Sequence, residues 1–201
     1  GEATKFSADL LNADKTYEAT LRFGQKTDTA DLTGAIIEET AALPSMATLD
    51  AIRPQFMGEI SQIPPMYSAL KRDGKPLYEY ARAGVELDRP ARDITIHAIR
   101  WTNINWPEAT LEVSCSKGTY IRTLIDDLGE TLGSGAYVTA LRRIHVGPFN
   151  ASQMRTEADL VPLNERQDWA RLDALLLPMD QALLGLPEFN VTPAQHQLLL
   201  Q

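Results

Sequence analysis

The sequence predicts an α+β protein built on a mixed, largely antiparallel sheet flanked by helices. Three observations carry that expectation. Several segments alternate apolar and polar residues at period two, among them `KTYEATLRFG`, `RDITIHAIRWTNIN` and `ATLEVSCS`. Short segments with helical spacing stand between and after them. No Gly-rich loop leads from a strand into a helix, so a nucleotide-cofactor fold is unsupported.

The elements follow in order. Ala3, Phe6, Leu10 and Leu11 are spaced for a helix over Glu2–Asn12. `KTYEATLRFG` puts Tyr17, Ala19, Leu21 and Phe23 on one face of a strand that Gly24 ends. The polar loop `QKTDTADLTG` leads to a returning strand at `AIIEE`, and `TLDAIRPQFMG` reads as a short helix ending near Gly58, less regular at Pro54. After a Pro-Pro break, `MYSALK` is strand-like, Asp73-Gly74 is a turn and `LYEYARAG` a helix stopped by Gly84. `RDITIHAIRWTNIN` and `ATLEVSCS` are paired strands with Leu111, Val113 and Cys115 on the inner face. Ile121, Leu124, Ile125, Leu128 and Leu132 form the buried stripe of a helix that Gly133 stops. `GAYVTALRRIHVG` is a further strand, and `EADLVPL` and `WARLDALLLP` are short helices.

Composition narrows the class. The 201 residues are 44% hydrophobic and 23% charged, the balance of a globular domain with a sizeable core. One cysteine excludes an internal disulfide framework and points to a reducing cytoplasm. No apolar run approaches the roughly 18–20 residues of a membrane helix. The three histidines are far apart, with no Cys/His spacing suited to a metal, so neither metal nor cofactor is expected. The net charge of −8 argues against a nucleic-acid partner, yet its distribution is uneven. Lys71–Arg92 holds six basic residues against four acidic, and Arg142–Arg143 form a second basic cluster. A local basic surface and a solvated mixed-charge surface both fit.

The junction `CSKGTYIRTLIDDLG` carries the densest chemistry. Tyr120 and Arg122 fall at a strand end and the first turn of a helix, where α/β proteins often place ligand contacts. Arg122 suits a bidentate grip on a carboxylate, and Tyr120 suits stacking on a planar ring. A core-roofing Tyr and an Arg lying along the helix flank are the plainer alternative. Cys115 reads as an inert buried thiol and Asp126–Asp127 as a solvated face.

`SKGTYIRTLIDDLGETLG` resembles the signature of the tRNA pseudouridine synthase B family. `GEATKFS`, `DKTYEATLRFGQKTDTADLTG`, `GEISQIPPMYSALKRDGKPLYEYARAGVE` and `YVTALRRIHVGPF` resemble that family as well, in the family's order, from Gly1 to about Asp180. The resemblance implies an isomerase that flips a T-loop uridine out of tRNA, detaches uracil from its ribose, rotates it and rejoins it through carbon. It implies that Tyr17 stacks on the target base, that Tyr120 lines the uridine pocket, that Leu141 contacts the nucleotide and that Arg122 pairs with a catalytic aspartate. The basic segment resembles an insertion, 65–92, that grips the T-stem-loop, with Lys71, Lys75 and Arg82 meeting phosphates. Lys5 is a helix-surface lysine for which a phosphate or carboxylate role stays open.

The family's aspartate sits in a `GALDP`-like loop before `GEATKFS`, and this chain opens at that Gly. The expectation is therefore a fragment lacking the catalytic-Asp segment and most of the C-terminal RNA-binding domain, with an incomplete fold and no activity alone. Its layout would be a catalytic body over 1–180, then a linker and the opening of the C-terminal domain over 181–201. The expected partner is the tRNA T-stem-loop, with no membrane or metal, and the expected state a monomer. The alternative function is a non-catalytic RNA-binding or tRNA-folding module.

Overall fold

The computed structural model describes residues 2–185 and 187–199. Two compact units are present, 11–146 and 1–10 with 147–201. A 3-10 helix at Glu2–Phe6 runs into helix α1, Ser7–Asn12, so the single helix expected over Glu2–Asn12 is tighter in its first half.

In the unit 11–146 the first strand is β1, Lys15–Phe23, followed by the small hairpin of β2, Gln25–Thr27, and β3, Ile36–Glu39. Helix α2, Met46–Ile52, gives way to a 3-10 turn at Arg53–Phe56, because Pro54 has no N–H to continue the helical ladder. Ser45 caps α2, its hydroxyl accepting the Thr48 N–H while the Thr48 side chain returns to the Ser45 backbone. Then come β4, Gly58–Gln62; the hairpin β5, Lys71–Arg72, with β6, Lys75–Pro76; and helix α3, Leu77–Arg82. The long strands β7, Arg92–Asn105, and β8, Glu108–Cys115, precede helix α4, Ile121–Thr131, and strand β9, Ala136–Val146.

Within this unit the large sheet runs β9-β1-β8-β7-β4, and each of these ladders is antiparallel. Register explains the core. Ala19 pairs with Leu111, Leu21 with Ala109 and Tyr17 with Val113, so the apolar sets of β1 and β8 share one face. β7 continues it, with Ile96 opposite Cys115, Ile99 opposite Val113 and Trp101 opposite Leu111. Ile121, Leu124, Ile125 and Leu128 of α4 belong to the same buried cluster. The other face is polar, with Thr20 bonded to Thr110 at 3.2 Å and Arg100 to Glu112 at 2.6 Å. Cys115 is fully buried. The chain leaves the end of α4 through Gly133, whose φ of 67° favours glycine.

The strand expected at `MYSALK` does not form before Lys71. Its backbone groups are committed elsewhere: Ser68 N–H to Met66, Ser68 carbonyl to Tyr78 N–H, Leu70 carbonyl to Leu77 N–H and Tyr67 carbonyl to Arg122. These bonds take groups that a strand ladder would need.

In the other unit follow β10, Phe149–Asn150, a 3-10 turn at Ala151–Gln153, and helices α5, Glu157–Glu165, and α6, Trp169–Ala174. A 3-10 helix, Met179–Leu183, packs against Glu2–Phe6, and helix α7, Pro193–Leu199, follows. Among the described residues no helix is long and apolar enough to cross a membrane.

Candidate functional site

The site is built where α4 begins. Residues 116–120 join the end of β8, where Cys115 lies opposite Lys15, to the first turn of α4. The helix N-terminus therefore falls at the Lys15 end of the sheet. Further along α4 packs on β9 and β1, and β9 is buried over Ala136–Val138. From Leu141 to Arg143 β9 is exposed, with Leu141 itself at 46%. Leu141 pairs with Ala19 and Arg143 with Tyr17, in continuous register between the two. Tyr17, Leu141 and Arg143 thus share the core-side face of the sheet in its uncovered part. Tyr17 is partly buried and packs against the core, which holds its ring on a rigid strand.

Tyr120 is the N-cap residue of α4, with extended backbone (φ −99°, ψ 106°) and no side-chain cap bond. Its peptide is held instead by Gln62, which is only 3% exposed. The Tyr120 N–H donates to Gln62 Oε1 at 2.8 Å, and Gln62 Nε2 donates to the Tyr120 carbonyl at 3.1 Å.

Arg122 has a carboxylate partner within the chain. Its Nη1 donates to Asp31 Oδ2 at 2.8 Å, and its Nη2 donates to the Tyr67 carbonyl at 2.6 Å. Asp31 is thus a partner of Arg122 besides the catalytic aspartate that the family resemblance implies. Asp31 is fixed by its loop: Oδ1 accepts from Thr29 Oγ1 at 2.9 Å, Thr33 Oγ1 at 2.6 Å and the Thr33 N–H at 3.0 Å. The loop is docked on β9, where the Val138 N–H donates to the Ala30 carbonyl at 3.0 Å and Asp31 makes a parallel bridge to Val138. Gly34 is obligatory, because a Cβ there would lie 2.3 Å from Thr29 Oγ1 and 2.4 Å from Asp28 Oδ1. Burial works to raise the Asp31 pKa, but the bonds from Thr33 and Thr29, and the one from Arg122, outweigh it and hold the carboxyl below its ordinary range. The result is an oriented, ionised Arg–Asp pair at the mouth of the helix.

Beside this pair lies a cleft of about 340 Å³, lined by Thr29, Ala30, Tyr67 and Thr123 near the pair and by Asp126 and Asp127 deeper along α4. Asp126 forms an ion pair with Lys26 at 3.4 Å, and Lys26 also bonds Glu130. Desolvation in the cleft, then the charges of Asp126 and Glu130, push the Asp127 pKa up to about 6. Asp127 is exposed, as a solvated face requires, while Asp126 is partly buried beside Lys26.

The insertion is compact. Asp73 and Gly74 both have positive φ, 52° and 78°, in the turn between β5 and β6. Lys71 is exposed on β5; Lys75 lies 4.8 Å from the Tyr80 ring and 3.9 Å from Glu79; Arg82 lies 5.3 Å from the Tyr78 ring. At its neck, Arg89 Nη1 donates to the Pro64 carbonyl at 3.3 Å. Lys5, exposed on Glu2–Phe6, belongs to the other unit. Sequence reasoning missed Asp31 and Gln62, and placed Arg143 only in a basic cluster. The threonines around Asp31 in `TDTADLTG` were the available signal, since Thr side chains bond a nearby carboxylate in turns.

The family model for the TruB family pseudouridylate synthase N-terminal domain matches residues 1–121, and that for the tRNA pseudouridylate synthase B C-terminal domain matches 122–184. The chain belongs to the TruB family of pseudouridine synthases. It is 51% identical over 195 residues to tRNA pseudouridine synthase B of Actinobacillus pleuropneumoniae, covering 97% of this chain and 64% of the relative. It is 53% identical over 195 residues to that of Actinobacillus succinogenes, covering 97% and 63%. With the Yersinia enterocolitica protein it is 50% identical over 200 residues, covering 96% and 61%. The chain therefore spans a little under two thirds of the length of these curated relatives. Among solved structures, one titled as a Cbf5-Nop10-Gar1 complex aligns with TM-score 0.67 and 26% identity, over 90% of this chain and 46% of that one. A structure titled as an H/ACA RNP bound to a substrate RNA containing 2'-deoxyuridine shares the fold, with TM-score 0.62 and 22% identity over 90% of this chain and 45% of that one.

These matches correct the expectation of an incomplete fold without most of the C-terminal domain: residues 122–184 match the C-terminal domain model. Both TruB domain models are matched back to back along the chain. The relatives matched over 96–97% of this chain are named tRNA pseudouridine synthase B, which stands against the expected inactivity.

Proposed function

We propose that the protein carrying this chain converts a uridine in the T-loop of tRNA to pseudouridine in the cytoplasm. The supporting observation is the single face on which the sheet register sets Tyr17 and Leu141, at the end where α4 presents Tyr120 and the Arg122–Asp31 pair. A flipped uracil needs a flat aromatic support and a sheltered rim, and Tyr17, Tyr120 and Leu141 supply apolar surface of that kind. Arg122 places a fixed positive charge beside the reacting base, where it favours an ionised carboxylate and any negative charge that develops. Asp31 orients Arg122: three donors engage its Oδ1, and the guanidinium takes Oδ2. Lys71, Lys75 and Arg82 meet phosphates of the stem, giving a salt-dependent grip. The relatives' name, tRNA pseudouridine synthase B, supports the same substrate class.

The test uses a T-stem-loop RNA tritiated at C5 of its uridine. Isomerisation breaks the N1–C1′ bond, forms C5–C1′ and releases the C5 hydrogen to water. Tritium release that falls at least about a hundredfold in Tyr17→Ala and Arg122→Met supports the reading. No release by the unaltered protein, or unchanged rates in both variants, overturns it.

A further inference from the structure

We propose that Gln62 is a positioning residue for this site, acting through Tyr120 and, beyond it, Arg122. The inference rests on the proposed uridine chemistry. Gln62 ends β4, a strand at one edge of the sheet ladders of its unit, and its amide is almost completely buried. Burying an amide is unfavourable unless both its polar ends are bonded. Here both ends go to the backbone of one residue, Tyr120, at 2.8 and 3.1 Å. Because the Tyr120 backbone is extended, the side chain takes the part that a neighbouring strand would take, pairing an N–H and a C=O of one residue. The Tyr120 N–H can only donate, so it fixes which way the amide faces.

Tyr120 lacks a side-chain cap bond, so this clamp from another element sets where α4 starts. The segment following Gln62 then touches the helix again, where the Tyr67 carbonyl accepts from Arg122. Residues 62–67 and 120–122 are thus cross-linked twice. One link holds the Tyr120 backbone and the other aims the Arg122 guanidinium. An apolar residue would fill the same volume, so packing alone gives no reason for an amide here. Loss of the clamp lets Tyr120 and Arg122 drift relative to Tyr17, which sits on a separate rigid strand. Misplacement on the order of 1 Å is enough to slow a positioned reaction up to about a hundredfold.

The experiment compares Gln62→Met and Gln62→Glu with the unaltered protein in single-turnover conversion of the T-stem-loop RNA. RNA affinity and thermal unfolding are measured alongside. Gln62→Met is expected to slow conversion at least about tenfold with RNA affinity within about threefold, since the phosphate-binding insertion is untouched. A folded Gln62→Met converting within about twofold of the unaltered rate overturns the inference. Gln62→Glu decides the matter if Gln62→Met does not fold. Its carboxylate repels the Tyr120 carbonyl, whereas its protonated form again offers one donor and one acceptor. Its rate relative to the unaltered protein should therefore rise as pH falls through the raised pKa of a buried Glu. A pH-independent ratio overturns the inference. If the unaltered protein performs no conversion, the proposed function fails and this inference with it; conversion by all three alike removes this inference alone.

Discussion

Breaking the Arg122–Asp31 pair from each side, and then from both, should expose a coupling that neither substitution reveals alone. The two side chains are 24% and 23% exposed and bonded at 2.8 Å, so solvent screens them only partly. Arg122→Met removes that bond and the one to the Tyr67 carbonyl, but leaves Asp31 with its three donors from Thr29 and Thr33. The carboxylate is not orphaned, so the loss should be about 2 kcal/mol, below the range for a fully buried broken pair. Asp31→Asn should cost a similar amount, and the double variant should recover about 1–2 kcal/mol of coupling. The assay is urea unfolding followed at Trp101 and Trp106 in a Trp169→Phe background. The paired carboxyl titrates below its ordinary value, so its contribution is full above the unfolded pKa near 3.8 and fades as pH falls through the lower folded value. Additivity within about 0.3 kcal/mol at neutral pH would refute the account of this pair.

Asp127 should act with the opposite sign. With a folded pKa of about 6 against 3.8, it favours the folded state most below pH 3.8 and loses that contribution as pH rises through 6. Asp127→Asn should therefore raise the melting temperature at pH 8 and leave it unchanged near pH 4; equal shifts at both would contradict this. Replacing Lys71, Lys75 and Arg82 together by Ala should weaken RNA binding and flatten the log–log salt slope by about 2–3, and an unchanged slope would remove these residues from the phosphate interface. Cys115 is fully buried, and burial pushes its thiol pKa up. It should resist iodoacetamide in the native protein and react only on unfolding, so native labelling at the unfolded rate would contradict its place in the core.

What was legible in the sequence follows from distance along the chain. Tyr17, Ala19, Leu21 and Phe23 alternate, and the stripe from Ile121 to Leu128 repeats helically, so β1 and α4 could be read from local pattern. The Arg122–Asp31 pair lies 91 positions apart, with Asp31 in a loop that has no periodicity. No local pattern announces such a contact; the threonines around Asp31 hinted only at a structured turn. Gln62 lies in a stretch before the Pro-Pro break to which the sequence assigns no element, and it gains a part only when Tyr120, 58 positions away, is placed beside it. `MYSALK` misled for the same reason, because Arg122, Leu77 and Tyr78 claim the backbone groups that a strand would need. The family resemblance offered Arg122 one carboxylate partner. The fold supplies another, from a loop read only as polar.

The most direct measurement is the structure of this protein bound to a T-stem-loop RNA. The uracil of the target nucleotide should lie flat on the Tyr17 ring, out of the loop stack, bordered by Tyr120 and Leu141 and beside the Arg122–Asp31 pair. A uridine still stacked within the loop, or docked on the opposite face of the sheet over Glu18, Thr20 and Arg22, would contradict the account.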